Sequence, residues 1–198
     1  MKALRFPRNL IIGLAVLIAG AAVPIRAQRG AKTPPASQLT QARISPHDTI
    51  NNRTNRRNMI MIVYGRPYTK APNTGEMRKI WGSLVPYGQV WRLGADEATL
   101  LITQQPIMIG TAEIPAGAHT LFMLPEETGP SKLIINNQIG QWGLQYDEKQ
   151  DLARVDLVKT QVDEPVNQLT LAIEGNPEGG IIKITWETTQ FSVAFTNK

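Results

Sequence analysis

The run Ile181-Ile182-Lys183-Ile184-Thr185-Trp186-Glu187 decides the fold. Ile182, Ile184 and Trp186 fall on one side of an extended chain, and Lys183, Thr185 and Glu187 on the other. That period of two belongs to a strand with one buried face. The preceding run, Gln168–Glu174, repeats it through Leu169, Leu171 and Ile173, and the turn Gly175–Gly180 separates the two. After Thr188-Thr189 the alternation returns in Phe191, Val193 and Phe195. Ile181–Glu187 and Phe191–Thr196 are therefore predicted to pair as a terminal hairpin.

Similar runs recur towards the N-terminus, each bounded by Gly, Pro or polar clusters. Strands are predicted at Ala153–Lys159, Lys132–Ile135, Ala118–Leu124 and Ala98–Thr103, with a hairpin of Pro106–Ile109 and Thr111–Ile114 turning at Gly110. Asn58–Tyr64 is continuously apolar and is predicted as a central strand buried on both faces. Ile44–Ile50 reads as a short first strand, and Asn51–Asn58 as an exposed turn. Nine to eleven short strands with almost no helical period predict an all-β fold. Its form is an antiparallel β-sandwich, jelly-roll-like or a partly closed barrel.

Arg78–Thr99 interrupts this regularity. It contains Trp81 and Trp91, three glycines, three basic residues and the adjacent acids Asp96 and Glu97, with no clean period of 2 or 3.6. It reads as an irregular loop and short-helix cap on the sandwich, with one helical turn at Arg78–Trp81 and a tight turn at Leu84–Gly88.

The ends and the charge bound the setting. Lys2, Arg5 and Arg8 precede the uncharged 14-residue run Leu10–Val23, and Ala27 is a small residue suited to cleavage. Residues 1–27 thus read as a signal peptide, 28–42 as a disordered tether and 43–198 as the β-sandwich domain. The apolar run is shorter than the ~20 residues of a spanning helix. Cleavage leaves no membrane span, and the alternative is an uncleaved N-terminal anchor. Either way the domain is exported, to the periplasm or the extracellular space. No cysteine is present, which excludes disulfides, thiol catalysis and an acylated lipoprotein cysteine.

The formal charge is +5, but removing residues 1–27 leaves 17 basic against 16 acidic residues, so a nucleic-acid-binding surface is not expected. Residues 28–92 carry 11 Lys/Arg and two acids, whereas 93–198 carry 6 and 14. Either the two parts attract each other or the basic one forms a solvated face, unless it is a patch for an anionic partner.

The segments Tyr64-Gly65-Arg66-Pro67, Arg78-Lys79-Ile80-Trp81-Gly82, Leu84-Val85-Pro86-Tyr87-Gly88, Val90-Trp91-Arg92, Gly94-Ala95-Asp96-Glu97-Ala98-Thr99, Pro115-Ala116-Gly117, Leu121-Phe122 and Trp142-Gly143 occur in that order. Over residues 43–197 the chain resembles the domain-of-unknown-function 2911 family of secreted bacterial proteins. The resemblance implies an exported, β-rich single domain and assigns no activity. It also implies Asn at position 96 and Tyr at 119, where this chain has Asp96 and His119.

Several side chains carry chemical potential. Arg92 and Asp96 are four apart around Gly94, so a turn can bring them together as a bidentate pair. That pair would pin the loop; alternatively Arg92 clamps a ligand, with Glu97 as acceptor or base. Asp96 and Glu97 point to opposite faces unless a turn realigns them. Trp81, Tyr87, Trp91 and Trp142 offer stacking faces for a sugar or fill the end of the sandwich, while Trp186 belongs to the core. Arg66 and Arg78-Lys79 can add positive charge. His119 is a candidate base or ligand; with His47 as the sole other histidine, a multi-histidine metal site is excluded. No nucleophile elbow, phosphate loop, dinucleotide fingerprint or zinc motif occurs. No cofactor or metal is expected. The candidate ligand-binding set is Arg66, Trp91, Arg92, Asp96, Glu97 and His119. The favoured function is binding of a small polar or saccharide-like ligand. The alternatives are a hydrolase or isomerase using Glu97, Asp96 and His119, or a structural or protein-interaction domain.

Overall fold

The computed structural model describes residues 45–53 and 58–198; the predicted signal segment and tether lie outside the described residues. Ten strands form two antiparallel sheets among them. Strands β1 (His47–Arg53), β2 (Met59–Gly65), β3 (Thr99–Thr103), β6 (Gly117–Leu124), β7 (Lys132–Asn136) and β8 (Asp151–Asp156) lie side by side in that order. The second sheet runs β5 (Ala112–Ile114), β4 (Ile107–Ile109), β10 (Gly179–Asn197) and β9 (Val158–Asn176). Neither sheet closes on itself, so the fold is an open sandwich, not a barrel.

The inner faces supply one apolar cluster. Ile60, Ile62, Leu101, Leu121 and Leu133 come from the six-stranded sheet, and Ile107, Ile109, Leu171, Ile182 and Ile184 from the other. Each such side chain contributes about 1.5–3 kcal/mol on leaving water. Tyr64 carries a polar tip into this layer, and its hydroxyl accepts the Leu171 N–H at 2.9 Å, joining the sheets. Burial pushes its phenol pKa up. Phe122, Ile134 and Ala98 form a second cluster with Tyr146.

Three local expectations are corrected. Strand β2 alternates buried Ile60, Ile62 and Tyr64 with half-buried Met61 and Val63, because only its inner face meets the second sheet. Residues 78–81 form no helical turn. The four-residue run is too short to repay helix nucleation, and Ile80 and Trp81 turn onto the core instead. Strand β1 continues to Arg53, through the start of the predicted turn.

The terminal hairpin forms as the pattern predicts. The extended run β10 doubles back at Glu187-Thr188: Gln190 Nε2 donates to the Thr185 hydroxyl at 3.0 Å and the Asn197 N–H to the Glu178 carbonyl at 2.8 Å, so its two halves lie side by side while β9 pairs with both. The parity of the buried residues changes midway: Ile182, Ile184 and Trp186 are even, while Thr189, Phe191, Val193 and Phe195 are odd. Glu187 stands between the two sets at φ 53°, and the register with β9 shifts on both sides of it. A tight turn at Glu187-Thr188 produces this change of parity, because residues that face each other across it share one side, so both halves keep their apolar side inward. The Thr188-Thr189 break in the sequence pattern is this turn. Pro165, lacking an N–H, sits in the shifted part of β9.

Burial raises the pKa of the Glu187 carboxyl above its ordinary 4.5. The folded state thus favours the neutral acid. Its contribution to stability is full below the ordinary pKa and falls as pH rises through the raised one. Glu187→Gln is expected to raise the urea midpoint at pH 7 and to leave it unchanged at pH 4. An equal change at both pH values would refute this account.

Candidate functional site

The cap is held by three buried plugs, Ile80, Val85 and Leu93. Between the first two the chain folds back, with Val85 N–H on the Ile80 carbonyl and Gly82 N–H on the Val85 carbonyl, each at 2.9 Å. Gly82 takes φ 78°, and a Cβ there would lie 2.8 Å from the Tyr87 ring. Trp91 exchanges both backbone hydrogen bonds with Met123, at 2.7 and 2.8 Å, which sets its ring beside β6. Leu93 and Asp96 then adopt φ 53° and 66°. Left-handed backbone in non-glycine residues costs of order 1 kcal/mol and concentrates at sites that the surroundings hold in place.

A second loop faces this cap. Pro67 and Thr69 pair with the edge of β9: Leu169 N–H donates to the Pro67 carbonyl at 3.0 Å, and Thr69 N–H to that of Asn167 at 2.8 Å. Trp186 Nε1 donates to the Thr69 hydroxyl at 3.1 Å. Arg78 donates through Nη2 to the Tyr68 carbonyl and through Nε to that of Thr69 at 3.3 Å. Tyr68 and Lys70 project from an anchored loop and are exposed.

Between the two loops lies a cleft of about 560 Å³, within the size range of small-molecule sites. Tyr68, Lys70, Arg78, Trp91, Arg92 and Trp186 line it, and Ser45-Pro46 and Gly143-Leu144 also contribute. Trp91 stacks on Trp186 with centroids 6.0 Å apart and planes at 21°, and Trp81 meets both edge-on. Trp186, 1% exposed, is both core and cleft lining.

The sequence-derived candidates divide into several places. Trp91 and Arg92 line the cleft. The expected Arg92–Asp96 pair does not form. Asp96 is buried, and its Oδ2 accepts the Ser45 N–H at 3.0 Å. Arg92 instead packs its stem against Gly143, and its Nε reaches the Gly94 carbonyl at 3.4 Å. The turned backbone at Asp96 separates the two carboxylates. Glu97 Oε2 lies 2.9 Å from His47 Nε2, in a smaller cavity of about 260 Å³ beside Val63 and Gln141.

Arg66 staples the sheets: Nη1 meets Asp48 at 3.2 Å, Nη2 the Thr170 hydroxyl at 2.9 Å and Nε the Leu169 carbonyl at 3.1 Å. His119 is buried, and its Nε2 donates to the Pro115 carbonyl at 3.0 Å. It shares the inner face of β6 with Leu121 and Met123, and lines neither cavity. Asp96, Glu97 and His119 are not brought together. Among the described residues, no three His, Asp or Glu side chains gather as a metal ion would need.

Tyr68, Lys70 and His47 were not singled out by the sequence. The signal for the first two is the Pro-bounded aromatic and basic run Pro67-Tyr68-Thr69-Lys70-Ala71-Pro72. His47 carries no local signal, since Glu97 is 50 residues away.

Fold and cleft together define a β-sandwich domain with a cationic, aromatic recess at one end. The chain belongs to the family described as protein of unknown function (DUF2911), whose model matches residues 45–195. No curated protein matches the chain. No solved structure matches it either.

Two glycines set the site's geometry. A Cβ on Gly65 would lie 2.2 Å from the Ala95 carbonyl oxygen, and one on Gly143 would lie 2.1 Å from Arg92 Cδ. Gly65→Ala must move backbone and is expected to cost about 1–3 kcal/mol in urea denaturation. Gly143→Ala is also close to the Asp96 carbonyl, at 2.8 Å, and should cost a similar amount. Unchanged midpoints in both variants would contradict the close approach.

Proposed function

We propose that the protein is an exported binding module whose cleft takes a small polar or saccharide-like ligand. The observation that carries this reading is the recess itself: two aromatic rings, Tyr68 and Trp91, stand beside the guanidinium of Arg92 in one concavity. A sugar presents a C–H face to a ring and hydroxyls to a planar donor, so these groups suit it. The remaining lining, Pro46, Pro67, Pro72, Pro86 and Leu84, is stiff and apolar, which lowers the entropy cost of holding a ligand. Export rests on residues 1–27, with their basic start, apolar run and small cleavage residue. Cell fractionation and N-terminal sequencing of the mature protein test it. A cytoplasmic protein retaining residue 1 would refute export.

The ligand reading is tested by titration calorimetry against neutral mono- and disaccharides. Tyr68 is 50% exposed, so Tyr68→Ala removes a ring without opening the core. It is expected to weaken any hit about tenfold, the scale of one aromatic contact. A panel without a hit, or a hit insensitive to Tyr68→Ala, counts against this cleft as a saccharide site.

A further inference from the structure

We infer that the ligand of this cleft is an anionic saccharide, its oxyanion seated on Arg92; this rests on the binding function proposed above. The first reason is the sign of the lining. Lys70, Arg78 and Arg92 contribute to the wall, and no aspartate or glutamate does. A cleft of one sign between low-dielectric walls concentrates the opposite charge.

The second reason is where the acids have gone. The carboxylates nearest in sequence are engaged elsewhere or lie outside the lining: Asp96 holds the Ser45 N–H, Glu97 the His47 ring and Asp48 the Arg66 guanidinium, while Glu76 accepts the Thr74 hydroxyl at 3.4 Å and does not line the cleft. The acids of the C-terminal half pair within that half, as in Lys132–Asp156, Arg154–Glu148, Lys183–Glu174 and Lys198–Glu113. Among the described residues, no ion pair includes Lys70, Arg78 or Arg92. Among the described residues, the positive charge of the cleft lining is thus not cancelled by an ion pair.

The third reason is Arg92 itself. It is half-buried, and among the described residues its side chain makes one hydrogen bond, the long one from Nε to Gly94. Its two terminal amino groups donate to no described residue, yet Gly143 fixes the stem that carries them. Desolvation pulls its pKa below the ordinary guanidinium value, opposed by the charge of Asp96. A fork held in place, partly stripped of water and without a carboxylate is a receptor for a planar or tetrahedral oxyanion.

Carboxylate and sulfate share this chemistry, and the test separates them. The probes are 4-nitrophenyl β-D-glucuronide, its neutral partner 4-nitrophenyl β-D-glucoside, and D-glucose 6-sulfate against D-glucose, each titrated calorimetrically into the full domain. At least one anion is expected to bind about tenfold tighter than its neutral partner, the scale of one charged hydrogen bond. The larger of the two ratios identifies the oxyanion. Arg92→Gln should abolish the discrimination. Lys70→Gln, at an exposed position that cannot disturb folding, should reduce it by a smaller factor and weaken its dependence on salt.

Equal affinity within both pairs overturns the anionic assignment while leaving saccharide binding intact. Discrimination that survives both substitutions places the anion elsewhere and also overturns it. Absence of binding by all four probes, together with an empty neutral panel, removes both readings.

Discussion

The contact on which this structure depends is the approach of one backbone to another, Gly65 at the end of β2 against Ala95 in the cap. There is no room for a Cβ between them. The approach presses the loop 93–96 onto the sheet and forces Leu93 and Asp96 into left-handed conformations. Those two residues divide the cap's charged groups. Arg92 goes to the cleft side, and Glu97 goes to the opposite side, where His47 meets it. With a larger residue at 65, the chain could not turn so close to the strand, and Arg92 and Asp96 would be free to pair as their spacing suggests.

The same contact explains how an arginine is kept away from a carboxylate four residues on. Asp96 remains near enough to raise the pKa of Arg92, but its Oδ2 is claimed by the Ser45 N–H, ahead of β1. A buried carboxylate with a backbone donor gains a charge-assisted hydrogen bond worth roughly 1.5–3 kcal/mol. The segment leading into β1 is therefore part of the site's electrostatics: its N–H occupies the Asp96 carboxylate and leaves Arg92 open. Asp48, in β1, pairs with Arg66. One acid of the cap and one of β1 are thus spent on architecture, and Arg92 is left lining the recess.

Much of the architecture was legible because strands declare themselves by alternation. Lys132–Asn136 and Gly117–Leu124 lie within a residue or two of the positions that the pattern assigns. The terminal hairpin was legible too, because the alternation breaks at Thr188-Thr189 and resumes with the opposite parity, as a tight turn requires. The pattern does not show that β9 pairs with both of its halves, at Glu174 with Ile181 and at Lys159 with Phe191. That Arg78–Thr99 lines part of the candidate cleft was legible from its mixture of rings and charge. The rest of the lining was not: Arg66, His119 and Glu97 are as chemically suggestive in sequence as Arg92. Which face each reaches depends on register, as where His119 falls opposite Leu101 and turns inward. Tyr68 and Lys70 join Arg92 only because Thr69 docks on Trp186 and the β9 edge.

That docking makes the cleft an extension of the core. Trp186 stacks on Trp91, is edged by Trp81 and hydrogen-bonds the loop that bears Tyr68 and Lys70. The turn at Glu187 immediately follows it, so the parity change that keeps Phe191 and Val193 inward is made at the residue beside the cleft lining. Before the turn the even residues of β10 face inward, and after it the odd ones do. Phe191 returns on the far side of the turn and meets the ring of Trp81 with centroids 5.1 Å apart, so both halves of β10 feed one aromatic cluster. There Trp186 leaves a ring for Trp91 to stack upon, and the core ends in a recess rather than a lid.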